Sequence, residues 1–154
     1  MLLSEVIQED VIRVGLAARD KWDAIEELVD VLVAAHEIRL ADRAPVIEAV
    51  KTREKSSSTG LSRGLAVPHG VVACVGEIVA ALGTSAEGIP FESMDEAPAR
   101  LVILLVIPGN QFPQHVHTLA AVSGLGKRDG LRTRIIEATS AHEVMEALQE
   151  LGEP

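Results

Sequence analysis

Arg100-Leu101-Val102-Ile103-Leu104-Leu105-Val106-Ile107-Pro108 is the stretch that decides the fold class. Between the arginine and the proline the residues are apolar without interruption. In a strand, successive side chains point to opposite faces, so this run would present apolar side chains on both. A strand that needs cover on both faces belongs inside a layered α/β sheet, not in a sheet with one face in water. Two further strands are expected. One is Glu77-Ile-Val-Ala-Ala-Leu-Gly-Thr-Ser85, and the other, rich in β-branched residues, is Asp10-Val-Ile-Arg-Val-Gly-Leu-Ala17. The segment from Gly88 to Pro98 between the two later strands is rich in turn formers.

The remainder of the chain carries helical spacing. Trp22, Ile25, Leu28, Val29, Leu32 and Ala35 recur at intervals of three and four, while Asp23, Glu26, Glu27 and Asp30 take the opposite face. Asp20 is placed to cap this helix. Asp42 is read as the cap of a second helix with Pro45 in its first turn, Val46, Ile47 and Val50 facing inward, and Arg53 at its end. A third helix is expected from about Pro113 to Gly126. Asp129 is read as the cap of a fourth, through Ala138. Ser140 with Glu143 forms a capping box for a last helix, Ala141 to Leu151. No repeat, low-complexity tract or linker interrupts residues 1–154, so one domain is expected.

Composition narrows the function. Of the 154 residues 47% are hydrophobic and only 2% aromatic, so aliphatic side chains must fill the core and few rings are available to stack on bases. The net charge of -9 argues further against nucleic acid as a ligand. Met-Leu-Leu-Ser-Glu-Val at the start has neither the basic nor the apolar part of an export signal, and the run ending at Pro108 is too short to cross a bilayer. A cytoplasmic protein is therefore expected. The lone cysteine, Cys74, is read as a small buried residue because no reactive motif surrounds it.

Five histidines remain to be sorted. His36, at a helix C-terminus, and His142, in the first turn of another, read as surface residues. His69 stands between Pro68, which fixes its own φ, and Gly70, which lets the chain turn away, so it is presented at the end of an extended segment. His115 and His117, two apart in a helix, cannot both face one site. A His-x-His pair with His69 could hold a metal, but no carboxylate or cysteine stands beside the pair, and no metal is assigned. A nucleophilic imidazole, a second imidazole and an arginine better suit phosphoryl transfer, which asks for a positioned nucleophile and donors for the phosphoryl oxygens. Arg53 supplies a planar charged fork. Thr59 and the amides near Gly60 and Gly64 are further candidate donors. From the residues alone, Arg53 could equally pair with Glu54 or another carboxylate.

Arg53-Glu54, Ser58-Thr59-Gly60 and Gly64-Leu65-Ala66-Val67-Pro68-His69 together resemble the active-site signature of the fructose/mannitol-type enzyme IIA domains of the phosphotransferase system, including the nitrogen-regulatory branch. The pattern R-E-x4-T-G-x3-G-x-A-x-P-H is matched at every fixed position, and Gly88-Ile-Pro-Phe, Asp95 and His115-Val-His-Thr-Leu-Ala resemble the family's second block. The resemblance implies a mixed sheet with helices on both faces. It implies that His69 accepts phosphate from phosphohistidine on an HPr-like carrier, with His115 and Arg53 completing the site. No metal or organic cofactor is implied. His117 has a counterpart mainly in the nitrogen-regulatory branch. Glu96 departs from the pattern, standing where glycine is common. Downstream, the resemblance implies transfer to a sugar-specific IIB domain. The alternative is a regulatory role in which phosphorylation controls other proteins, toward which the free-standing chain and the His115–Leu119 stretch lean.

Overall fold

The computed structural model describes residues 3–109 and 112–151, the side chains of residues 112–115 and 151 excepted. Its axis is the stretch quoted first, a strand spanning Ala99–Pro108 (β5), buried at every position except Arg100. One edge of β5 pairs antiparallel with Val79–Ile89 (β4), from Val79 opposite Val106 to Thr84 opposite Leu101, with an irregularity before Ile89. The other edge pairs in parallel with two short strands in line, Leu65–Ala66 (β2) and His69–Val72 (β3). Ile12–Arg13 (β1) pairs in parallel with β4 and completes a five-stranded mixed sheet.

β1 is shorter than the strand expected over residues 10–17. A 3-10 turn occupies Glu9–Val11, and Gly15 adopts φ +80°, which takes the backbone out of the ladder. The chain still follows β4, since Leu16 N–H donates to the Thr84 carbonyl at 2.7 Å.

Helices Lys21–Ala34 (α2) and Arg43–Ser56 (α3) pack on each other, α2 against β4 and α3 against β3. Leu3–Val6 forms a short N-terminal helix (α1), and Phe112–Leu125 (α4), Asp129–Glu137 (α5) and Ala141–Leu151 (α6) follow the sheet. Asp20 caps α2 as expected, accepting the Asp23 N–H at 2.8 Å. Asp42 does not cap α3, because its carboxylate is held by Arg39 at 2.9 Å. Asp129 is the first helical residue of α5, not its cap. Arg132 and Arg63 hold its carboxylate and keep it below the usual carboxylate range, Arg132 contributing most. The capping box of α6 is displaced by one residue at one end. Ser140 Oγ accepts the Glu143 N–H, but Glu143 reaches the N–H and hydroxyl of Thr139. Cys74 is exposed, in the bend between β3 and β4, not buried. Among the described residues no helix is long and apolar enough to cross a membrane.

Candidate active site

His69 opens β3, opposite Leu105 in the central strand. What brings a helix to it is the next residue. A Cβ on Gly70 would lie 3.0 Å from both Val50 Cγ2 and Val50 N and 3.1 Å from the Ala49 carbonyl carbon, so any larger residue would press α3 away by a few tenths of an ångström. The two elements then share a surface depression of about 600 Å³, lined by Glu48, Thr52 and Arg53 from α3 and by His69 and Val71 from β3. His69 was expected at the end of an extended segment and instead stands at the start of β3, beside α3, whose last turn carries Arg53.

The half-buried imidazole of His69 is oriented by its own backbone. Nδ1 lies 2.9 Å from the Val67 carbonyl oxygen. A carbonyl only accepts, so Nδ1 carries the proton and the lone pair of the neutral ring is on Nε2. Val67 is fixed in turn, its N–H donating to the Thr59 carbonyl at 3.1 Å, while the Pro68 carbonyl between them accepts the Leu105 N–H at 3.0 Å. His69 is therefore hung from the central strand on one side and from the preceding loop on the other.

Arg53 donates from Nη1 to the Ser57 carbonyl at 2.9 Å, not to Glu54. Glu54 turns inward. It is buried with Lys21, whose Nζ lies 3.3 Å from Glu54 Oε2, and Oε2 also accepts the Thr59 N–H at 2.9 Å. The Thr59 hydroxyl donates to Glu54 Oε1. Lys21 is further paired with the exposed Glu92 at 3.4 Å. Removing one partner from such a buried pair typically costs about 3–5 kcal/mol, because the other charge is left uncompensated.

The residues singled out in the sequence thus separate into groups. His69 and Arg53 line one depression. Thr59 is buried and gives its donors to Glu54, so it builds the loop instead of offering donors to a ligand. The Gly60 N–H goes to Ser58 Oγ at 3.1 Å, and the Gly64 carbonyl accepts the N–H groups of Arg100 and Leu101, which ties the loop to β5. The loop is held from its far side too. Asp95 accepts the N–H of Arg63 at 2.9 Å, and this contact, with that from Ala97, keeps its carboxyl below the usual range. His117 is exposed on α4 and does not line the depression, and the side chain of His115 lies outside the described residues. Lys21 and Glu54 were missed as a buried pair. Glu54 stands four residues after Val50 and seven after Ile47, and Lys21 stands three, four and seven before Ala24, Ile25 and Leu28. Both charges occupy positions on apolar stripes, which is the signal that could have found them.

Comparisons of the whole chain with known proteins place it in one family. The chain is 31% identical over 150 residues to a fructose-specific EIIABC component of the phosphotransferase system from Bacillus subtilis, a match covering 97% of this chain and 23% of that much longer protein. The crystal structure of the nitrogen regulatory protein IIA-Ntr from Neisseria meningitidis superposes with a TM-score of 0.85 at 28% identity, over 95% of this chain and 98% of that one. The mannitol enzyme IIA of Escherichia coli, solved in complex with phosphorylated mannitol enzyme IIB, gives a TM-score of 0.78 at 25% identity, over 94% and 99%. The relatives thus include both sugar-specific and nitrogen-regulatory proteins. Since the model of the phosphoenolpyruvate-dependent sugar phosphotransferase system EIIA 2 family matches residues 5–151, the chain belongs to that family.

Proposed function

We propose that this protein is a phosphoryl carrier in which Nε2 of His69 accepts a phosphoryl group from phosphohistidine on an HPr-like protein. The observation that carries the reading is the orientation of the His69 ring, with Nδ1–H committed to the Val67 carbonyl in a depression that also contains Arg53. The Nε2 lone pair forms the new P–N bond as the bond from phosphorus to the donor imidazole breaks. The donor ring keeps that electron pair and takes up a proton from solvent. Arg53 acts on the charge spread over the equatorial oxygens, as a fork suited to a phosphoryl group. His115, carried on α4, is the second imidazole of the proposed site. No metal or organic cofactor enters the step.

The onward acceptor in this reading is a sugar-specific IIB domain, favoured by the fructose-specific relative and by the mannitol IIA–IIB complex. The regulatory reading is favoured by the nitrogen regulatory structure, with its TM-score of 0.85. Phosphoenolpyruvate, enzyme I and HPr should place one acid-labile phosphate on the wild-type protein and none on His69→Ala. Equal labelling of the variant would overturn the assignment. Mixing the labelled protein with sugar-specific IIB domains separates the two onward readings, since only the transport reading expects the label to leave.

A further inference from the structure

Glu54 is 2% exposed and Lys21 7%, yet neither lines the depression at His69. A buried ion pair is a poor way to gain stability, since apolar residues of similar size often do as well. What an apolar residue could not do here is receive both donors of Thr59, the N–H and the hydroxyl, each of which would otherwise be buried without an acceptor. Two routes leave Thr59, one through hydrogen bonds and one along the chain. Along one, the Thr59 carbonyl accepts the Val67 N–H at 3.1 Å and the Val67 carbonyl accepts the His69 Nδ1–H at 2.9 Å. Along the other, the chain runs back two residues to Ser57, whose carbonyl receives Arg53 at 2.9 Å.

We propose that Glu54 is a positioning residue for the phosphoryl-transfer site, anchoring through Thr59 both the carbonyl that orients the His69 ring and the carbonyl that orients Arg53. Lys21, from the first turn of α2, is its counter-charge and makes the anchor affordable inside the protein. The nucleophile and the arginine lie on different elements, and the same loop holds both. The proposal rests on His69 being the phosphoryl acceptor, so its test includes a readout that needs no phosphoryl donor.

Two double variants separate the hydrogen-bond acceptor from the charge. Lys21→Met with Glu54→Gln removes both charges but keeps the anchor, since the amide oxygen accepts the Thr59 N–H and the amide NH₂ donates to the Thr59 hydroxyl oxygen. Lys21→Met with Glu54→Leu keeps the bulk and removes the anchor. The glutamine variant should transfer phosphate near the wild-type rate, and the leucine variant should be slower by at least about tenfold while still melting cooperatively. ¹⁵N NMR of the His69 imidazole should show the neutral Nδ1–H tautomer in the wild type and the glutamine variant, and a tautomer mixture in the leucine variant. The ring signals test the anchor whether or not His69 is the acceptor. Absence of label on wild-type His69 would instead refute the functional reading.

A folded leucine variant with wild-type rate and wild-type ring signals would overturn the proposal. So would equal loss of transfer in both variants, which would assign the effect to charge. Should the leucine variant not fold, Thr59→Val removes only the hydroxyl contact to Glu54. A change in the His69 ring signals there supports the anchor, and unchanged signals overturn it.

Discussion

His69 and His142 have the same side chain, and the chain uses them in opposite ways. At His69 one ring nitrogen donates to a neutral carbonyl, and the guanidinium of Arg53 lines the same depression. At His142 both nitrogens face carboxylates, Nδ1 at 3.0 Å from Glu9 Oε1 and Nε2 at 2.8 Å from Glu146 Oε1. The second ring bridges the 3-10 turn at Glu9–Val11 and α6, and its pKa is raised, first by the hydrogen bond to Glu9 and then by the charge of Glu146. A carbonyl partner fixes the tautomer of an imidazole, whereas carboxylate partners favour its protonated form.

The contrast is sharpest in labelling. His142→Ala should accept as much phosphate as the wild type, whereas His69→Ala should accept none, and loss of label in the His142 variant would erase the distinction. Next in size is the neighbouring cation. Arg53→Ala should slow transfer by at least about tenfold, equivalent to about 1.4 kcal/mol of transition-state stabilisation, with the thermal midpoint little changed. A wild-type rate would remove Arg53 from the site. Arg53→Lys should recover only part of the rate, because an ammonium keeps the charge but loses the fork.

The smallest effect belongs to the other histidine and is read as a function of pH. A folded-state pKa above the unfolded value means that the bridge contributes its full stability below about pH 6.5, the unperturbed histidine value, and loses it as pH rises through the folded pKa. Asp10 and Glu37 line the same depression as His142, Glu9 and Glu146, and Glu143 adds a further negative charge from α6, and each of these charges favours the protonated ring. The difference in thermal midpoint between wild type and His142→Gln should therefore shrink with rising pH, and shrink at every pH in high salt because the site is exposed. A difference that stayed constant with pH would show that the bridge is not ionic.

Much of this was legible in the sequence where the determining contacts are local or repeat along an element. The unbroken apolar run to Pro108 requires cover on both faces, and β5 has it. Asp20 sits beside the N–H it caps, and Pro68 and Gly70 frame His69 within three residues. The misreadings concern side chains with a competing partner, near in sequence for Asp42, which Arg39 takes, and distant for others. Asp129 does not act as the cap, and its carboxylate is held by Arg132, three residues on, and by Arg63, 66 residues away. Glu54 was read as a possible partner for its neighbour Arg53 and instead pairs with Lys21, 33 residues away. Thr59 looked like a ligand donor because its type and place in a glycine-containing loop suit one, but the carboxylate five residues before it takes both of its donors. Motif matching locates such residues without saying which of them touch the substrate and which hold the others in place.

The central claim is that the backbone of Val67 selects the reacting nitrogen of His69. The most direct measurement is NMR of the ¹⁵N-labelled, phosphorylated protein, with the phosphorus–nitrogen coupling resolved on the His69 ring. The account predicts phosphorus on Nε2 with Nδ1 still protonated. Phosphorus on Nδ1, or on any other residue, would contradict it.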